Sequence, residues 1–470
     1  MFSLRDYQRN LCSETIEHMN AGGAPCLVSP TGSGKTVMLA EITRLYRGWG
    51  YQVVLAAHRN EIIKQIAASC SKHCGEPVGF YAANCMTEDR GIMVTMMPTL
   101  ARRREAVPTF RNRVLLLDEA HHIQAKTYQE IIREMQPAFF AGATATPVTP
   151  TGAGLGKYGI TKLVLGPQPR QLINEGSLCR YRMFGGNSAV VDTSGVPIQG
   201  GDYKKSEIEE RVLGVQGDFL RDLLEFNSDL QPTITVTVSI EHAHIIAAEY
   251  NAKGISAEVV IGTTSQRDRD RAFERFTAGD LKVIVSVALI DEGLDLPAAT
   301  CLQLIRPTRS LRLWKQLIGR VLRVDPANPE KIALIIDHGN CWLHMPLPCF
   351  PIDWALNGKV KFKRGNLQLN ENNEVVEKPT KQKRALLAQG DRQRLSELPV
   401  ETIYEQRIRK RINAAKKNLF LVEAKNFSPA ILWPWANNPE GLSDDQRRRL
   451  ERALGLPYGH CGLPEPIAYQ

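Results

Sequence analysis

Cys26-Leu27-Val28-Ser29-Pro30-Thr31-Gly32-Ser33-Gly34-Lys35-Thr36 is the stretch from which the rest of the chain becomes readable. The apolar run at its start reads as a buried strand, and the pattern over residues 36–46 reads as a helix. Between them, glycines let the backbone curl so that successive N–H groups face one point, where the helix N-terminus adds positive potential. Such a turn cradles phosphate. Thr31, Gly32, Ser33 and Gly34 supply the cradle, Lys35 neutralises the β- and γ-phosphates, and the Thr36 hydroxyl ligates Mg2+. ATP with Mg2+ is therefore the expected ligand. The full pattern of this loop carries glycine where the chain has Ser29.

Eighty-two residues beyond Thr36, Leu115-Leu116-Leu117-Asp118-Glu119-Ala120-His121 sets two carboxylates directly after a second buried strand. In a parallel sheet that position is the carboxyl edge, where ligands gather. Asp118 suits holding Mg2+ through its water shell, and Glu119 suits taking a proton from an attacking water. Working outward, short apolar runs at 26–29, 52–57, 92–96, 114–117 and 138–142 alternate with helical patterns such as 36–46 and 61–70. A second alternating series has strands at 234–239, 258–261, 282–287, 301–305 and 332–337, with helices at 243–251, 266–276 and 311–322. Gly- and Pro-rich stretches at 149–159 and 195–201 read as loops. This alternation predicts an α/β chain of two parallel-sheet lobes, residues 1–167 and 168–345, with an extension over 346–470.

In the second series, Gln316-Leu317-Ile318-Gly319-Arg320-Val321-Leu322-Arg323 puts two arginines three apart on one helix face. From there Arg320 and Arg323 would reach a γ-phosphate held by the other lobe. Gly152-Ala153-Gly154-Leu155-Gly156-Lys157 imitates a phosphate loop but follows no buried strand, and Cys70-Ser71-Lys72-His73-Cys74 has no second pair at zinc-site spacing. Both read as structural.

Of the 470 residues, 43% are hydrophobic, enough for sizeable cores and too many for a disordered chain. No apolar run is long enough to cross a bilayer, and the first residues lack the pattern of a secretory signal. Ten cysteines are too sparse for a disulfide framework, so a reducing cytoplasm is the expected compartment. The net charge of +9 is uneven: residues 351–470 hold 21 Lys+Arg against 14 Asp+Glu, while the first 350 are nearly balanced. A basic tail on a near-neutral body points to a polyanion, most simply nucleic acid. Within that tail Arg407-Ile408-Arg409-Lys410-Arg411 suits phosphate contact, and Trp433 and Trp435 suit packing or base stacking.

Taken together and in this order, the motifs resemble those of superfamily 2 helicases of the DEAH type, most closely the XPB/Rad25-like DNA helicases. Leu4-Arg5-Asp6-Tyr7-Gln8 is similar to the family's adenine-reading element, which implies nucleotide contacts for Arg5 and Gln8. Ala57-His58-Arg59-Asn60-Glu61 and Val94-Thr95-Met96-Met97-Pro98-Thr99-Leu100 resemble its strand-contacting elements, implying nucleic-acid contacts for Arg59 and Thr99. Gly142-Ala143-Thr144-Ala145-Thr146-Pro147 resembles the coupling element; the resemblance assigns coupling to His121, Thr144, Thr146 and Gln316. Asp291-Glu292-Gly293-Leu294-Asp295-Leu296-Pro297 resembles another family element, implying nucleotide contacts for Gly293 and Asp295. Two departures stand out: Met97-Pro98 where relatives carry a polar residue before Thr99, and Asp291 where a hydroxyl residue is usual.

The resemblance implies two RecA-like lobes with ATP between them and a basic, mainly helical extension. It implies an ATP hydrolase that moves along a strand, on DNA rather than RNA and with 3′-to-5′ polarity, as a monomer that associates with no membrane. A double-stranded DNA translocase that leaves strands paired, working with a separate nuclease, replication or repair protein, and an RNA helicase are the alternatives.

Overall fold

A strand that is apolar at every position needs cover on both faces, and a parallel sheet between two helical layers supplies it. In the computed structural model, which describes residues 3–377 apart from 83–84, 150, 216–217, 288–295, 363–366 and 371, two such sheets form. The first contains β1 (Pro25–Val28), β2 (Val53–Ala57), β3 (Gly79–Ala82), β4 (Cys85–Met86), β5 (Ile92–Met96), β6 (Val114–Asp118), β7 (Phe139–Thr144) and β8 (Lys162–Leu165). Their order is β4-β3-β5-β2-β6-β7-β1-β8, and only β3 with β4 is antiparallel. Val53, Leu55 and Ala57 enter the core on one face, and Val54 and Ala56 enter the core on the other. The first sheet's helices are α1 (Asp6–Asn20), α2 (Lys35–Gly48), α3 (Asn60–Cys74), α4 (Met97–Arg102) and α5 (Lys126–Met135).

The second sheet is wholly parallel. It contains β9 (Arg180–Gly185) and, after a small hairpin of β10 (Ile198–Gln199) and β11 (Asp202–Tyr203), the strands β12 (Thr233–Val236), β13 (Ala257–Val259), β14 (Val283–Ser286), β15 (Cys301–Leu304) and β16 (Ile332–Asp337). The order is β13-β14-β12-β15-β16-β9. Its helices are α6 (Pro169–Asn174), α7 (Lys205–Leu213), α8 (Phe219–Phe226), α9 (Ile240–Ala252), α10 (Gln266–Ala278) and α11 (Leu311–Val321). Ile234 and Val236 face one core, and Val283 and Val285 face the other.

Two elements differ from the sequence expectation. Residues 162–185, where the sequence reading placed no strand, hold β8, α6 and β9, so each sheet gains an edge strand. β8 is only four residues long, and β9 opens with Arg180-Tyr181-Arg182, whose exposed arginines hide the periodicity that marks a buried strand. The start of the extension is also structured. Leu347 and Phe350 join the core of the second sheet, whereas Trp354 and Leu356 pack against a core of the first. Residues 352–377 then form two short hairpins, Ile352–Asp353 with Lys361–Phe362 and Leu367–Leu369 with Val375–Glu377. The mainly helical character expected of the rest, the basic run at Arg407 and the tail tryptophans lie outside the described residues. No described helix is long and apolar enough to cross a membrane.

Leu116 sits on β6 with no exposed surface, between β2 and β7. Leu116→Ala is expected to cost about 2–5 kcal/mol through the cavity it leaves, read as a shift of the first unfolding transition in a urea titration.

Candidate functional site

The register of the first sheet brings three strand ends to one edge. Val28 on β1 pairs with Thr144 on β7, and Ala143 pairs with Asp118 on β6. Chain leaving β1, Asp118 with Glu119, and Thr144 therefore emerge side by side. The loop after β1 takes left-handed backbone at Gly32 (φ +86°) and Gly34 (φ +85°), and Lys35 opens α2 directly behind it. A β-carbon at Gly34 would lie 2.5 Å from Gln8 Nε2. That closeness is used: Gln8 Nε2 and Tyr7 Oη each donate to the Ser33 carbonyl, at 3.0 and 2.8 Å. The Gln8 carbonyl oxygen accepts from Arg5 N, capping α1, while the Arg5 side chain stays exposed. Tyr7 was passed over in the sequence, because a tyrosine beside a helix start carries no pattern of its own.

Lys35 Nζ donates to the Ser29 and Pro30 carbonyls, at 3.1 and 3.3 Å. Desolvation depresses its pKa, Glu119 and Asp118 oppose that shift, and Arg323 and Arg320 reinforce it. Burial, then the neighbouring Glu119 charge, pushes Asp118 up to about 7, against the pull of Lys35. Thr36 is half-buried on the first turn of α2.

Glu119 is held in left-handed backbone (φ +49°), a conformation that costs a non-glycine residue about 1–3 kcal/mol. The turn that follows it, Ala120–Gln124, lies tight on β7: a β-carbon at Gly142 would be 2.6 Å from that of Ala120. The result is a compact polar cluster. His121 Nδ1 lies 3.1 Å from Thr144 Oγ1 and 3.2 Å from Glu119 Oε2, and Thr144 Oγ1 donates to Glu119 Oε2 at 3.4 Å. Thr146 N donates to Thr144 Oγ1 at 3.2 Å.

The second sheet contributes through α11, which Ser310 caps and Trp314 anchors by donating its ring N–H to the Pro346 carbonyl at 3.0 Å. Every residue from Gln316 to Val321 is buried, because one flank of the helix covers its own sheet and the other meets the phosphate loop. A β-carbon at Gly319 would come within 2.6 Å of Thr31 Cβ, and one at Gly32 within 3.3 Å of Arg323 Cγ. Arg320 is buried beside them, while Gln316 accepts from Arg312 Nη1 at 2.8 Å. Pro30, Thr31, Ile318 and Gly319 also help line a small cleft, open to solvent, with a cavity of about 50 Å3.

The residues expected around a nucleotide are thus drawn together from both lobes. Gly293 and Asp295 lie outside the described residues. Arg59 and Thr99 follow β2 and β5, on the same sheet edge but beyond β6 and β7 from the loop. Thr99 is buried on α4, whose Met97 and Leu100 belong to the core. Arg59 is half-buried at the start of α3. The loop fits ATP with Mg2+: two glycines bare the backbone, and the buried Ser33 hydroxyl has no hydrogen-bond partner among the described residues.

Two facing sheet lobes with a phosphate loop and an arginine helix between them define a nucleotide-driven motor of the RecA-like class. Comparison with known proteins agrees. Residues 1–149 match the family described as type III restriction enzyme, res subunit, and residues 216–325 match the helicase conserved C-terminal domain. A 51.5 kDa protein of a Lactococcus phage is 32% identical over 329 residues, covering 69% of this chain and 68% of the phage protein. The DNA 3′-5′ translocase XPB2 of Sulfurisphaera tokodaii is 23% identical, covering 71% of this chain and 81% of that one. A Saccharomyces cerevisiae protein named as an ATP-dependent helicase, IRC3, is 25% identical over 68% of this chain, which spans only about half (49%) of the yeast protein. Among solved structures, a fragment assigned to the HsdR subunit of a type I restriction enzyme from Vibrio vulnificus YJ016 superposes with a TM-score of 0.56 at 18% identity, over 73% of this chain and 65% of that one. The chain belongs to the superfamily 2 helicases, a superfamily of ATP-hydrolysing enzymes.

Gly319→Ala places a methyl group against Thr31 and holds the arginine helix off the loop. It is expected to lower ATP turnover at least tenfold with little change in the melting temperature, checked by steady-state ATPase assay beside a thermal melt.

Proposed function

We propose that the protein is an ATP-driven DNA motor of the XPB/Rad25-like, Asp-Glu-Ala-His-bearing group, moving 3′ to 5′ and separating strands in its path. The carrying observation is the meeting of Arg320 and Arg323 with the phosphate loop across Gly319 and Thr31. DNA and the polarity are supported by likeness to the archaeal translocase. The match to the restriction-enzyme family favours a second reading, translocation on duplex DNA without separation, coupled to a separate nuclease, replication or repair protein.

In this reading Lys35 leaves the Ser29 and Pro30 carbonyls to face the β- and γ-phosphates of ATP, the loop N–H groups donate to the phosphate oxygens, and Arg5 and Gln8 border the adenine. Thr36 and Asp118 would hold Mg2+, which supplies positive charge at the phosphate oxygens. Glu119 takes the proton of the attacking water as its oxygen bonds the γ-phosphorus and the bond to the β-phosphate oxygen breaks. Arg320 and Arg323 stabilise the charge on the transferred group. Gly293 and Asp295 complete the nucleotide contacts. The cluster of Glu119, His121, Thr144 and Thr146, with Gln316 across the cleft, transmits hydrolysis to a strand lying along Arg59 and the segment around Thr99. The motor is monomeric, intracellular and independent of membranes.

Lys35→Ala is expected to lose ATP affinity and turnover, whereas Glu119→Gln binds ATP and barely hydrolyses it. Strand displacement on matched DNA and RNA forks, with ATPase followed alongside, tests the substrate: DNA-stimulated turnover with DNA unwinding is expected. Stimulation without unwinding supports the duplex translocase, and unwinding of RNA alone overturns DNA.

The basic tail is expected to add contacts that ignore sequence. Because residues 346–356 pack on both lobes, the informative deletion removes residues 378–470. It should flatten the salt dependence of DNA binding, by about 0.9 in log–log slope per lost phosphate contact, while ATP hydrolysis without DNA persists. An unchanged slope assigns the tail another role.

A further inference from the structure

Lys331 precedes β16 in the segment Asn328-Pro329-Glu330-Lys331-Ile332, where a lysine reads as a solvated turn residue. The structure places it inside, with only 4% of its surface exposed. Its ammonium donates to the Arg323 carbonyl at 2.9 Å and to the Pro297 carbonyl at 2.7 Å. The site lies just past the C-terminal end of α11, which closes at Val321, so Arg323 does not share the helix as its spacing from Arg320 suggested; it forms an antiparallel bridge with Leu178 instead. The carbonyls leading up to it have partners. Cys179 Sγ donates to Val321 O, Cys179 N donates to Leu322 O, and Lys331 holds Arg323 O. The bridge to Leu178 and the Lys331 ammonium together hold the backbone that carries an arginine packed against Gly32, and the ammonium is the charged one of the two. Pro297, the other acceptor, ends the segment Asp291–Pro297, so one cation ties two motif-bearing stretches together.

We propose that Lys331 is a positioning residue for ATP hydrolysis: its ammonium clamps the Arg323 backbone so that the guanidinium is aimed at the phosphate loop before the nucleotide arrives. The inference rests on the reading of Arg323 as a group that acts on the transferred phosphate. A charged donor holds carbonyls more strongly than a neutral amine, so the clamp weakens when Lys331 loses its proton. Burial lowers that pKa to about 8; of the titratable groups facing the ammonium, Asp325 favours the proton, Arg323 disfavours it, and Cys179 is a thiol that burial keeps protonated.

The test is steady-state ATPase of the full chain with saturating DNA, on wild type, Lys331→Met, Arg323→Ala and the double variant, from pH 7 to 9.5. At pH 7, Lys331→Met should lower kcat at least tenfold with KM for ATP within about threefold, because the loop that binds ATP belongs to the other lobe. The ratio of wild-type to Lys331→Met turnover should shrink several-fold as pH rises through about 8, since wild type then loses the charge that the variant lacks. Dividing the two profiles removes any titration they share, including that of Lys35. The double variant should be no slower than Arg323→Ala alone, because a clamp has nothing left to aim. A kcat for Lys331→Met within twofold of wild type, a ratio constant with pH, or additive losses in the double variant overturns the clamp. Arg323→Ala within twofold of wild type overturns the reading of Arg323 instead. Should Lys331→Met fail to fold by circular dichroism, Lys331→Gln, which keeps a neutral donor, replaces it under the same criteria.

Discussion

The arginine helix reaches the phosphate loop because no side chain stands between them at Gly32 and Gly319. With β-carbons at both positions the approach would be blocked at 3.3 and 2.6 Å, and the two sheets would meet elsewhere. That closeness concentrates charge. Lys35, Arg320 and Arg323 share one partly desolvated cleft with Asp118 and Glu119, three cations against two carboxylates. Burial and the neighbouring Glu119 charge both push the Asp118 pKa up, so the two carboxylates disfavour each other's charge in the space they share. Desolvated charge of one sign is costly unless it is paired. A polyphosphate is the partner that removes the imbalance, while the depressed pKa of Lys35 reflects first its burial. Affinity for the nucleotide and attraction between the lobes are therefore one interaction seen from two surfaces.

The same crowding explains why Glu119 tolerates a left-handed backbone. Turning there sends the chain into the Ala120–Gln124 turn, which lies flat on β7 only because Gly142 faces Ala120. The carboxylate is thereby brought within reach of His121 and of Thr144 at the end of β7. Movement of any one of the three side chains disturbs the other two, which gives an event at Glu119 a physical route to Thr146 and the chain beyond. Local strain of about 1–3 kcal/mol is persistent only where surrounding packing determines the backbone, and the fully buried Ala120, His121 and Thr144 provide that packing.

Much of this was legible in the sequence, for a specific reason. Strands buried on both faces are apolar runs, and glycine, lysine and carboxylate motifs sit directly at their ends, so residue type marks strand end and chemistry together. Lys35, Asp118 and Glu119 declared themselves in that way, whereas the arginine pair was legible from its spacing on a helical pattern. What stayed hidden lacks such coincidence. β9 carries exposed arginines on an edge, and Lys331 looks like any solvated lysine in a polar turn. Thr99 shows the limit from the other side: its motif suggests a surface contact, while its side chain is buried on α4, the short helix that opens at Met97. Resemblance can place a motif on the correct edge; which way a side chain points depends on packing that a single sequence does not display.

A cleft that opens and closes also needs an axis, and the chain crosses between the sheets twice in one place. The first crossing is Gly166-Pro167-Gln168-Pro169, stiffened by two prolines. The second runs from Phe350, in the core of the second sheet, to Trp354 and Leu356, against the core of the first. Gln168 ties them: its amide nitrogen donates to the Ile352 carbonyl at 3.3 Å, and its carbonyl oxygen accepts from Ile352 N at 3.2 Å. Leu356 O, further along, accepts from Gly156 N at 3.0 Å, which fixes the far end of the strap to the first lobe. One flexible linker would leave the lobes free to swivel and twist. Two crossings clipped to one another restrain those motions and favour rotation about the line they share, so in the motor proposed above they would guide Arg320 and Arg323 back to the phosphate loop along one path.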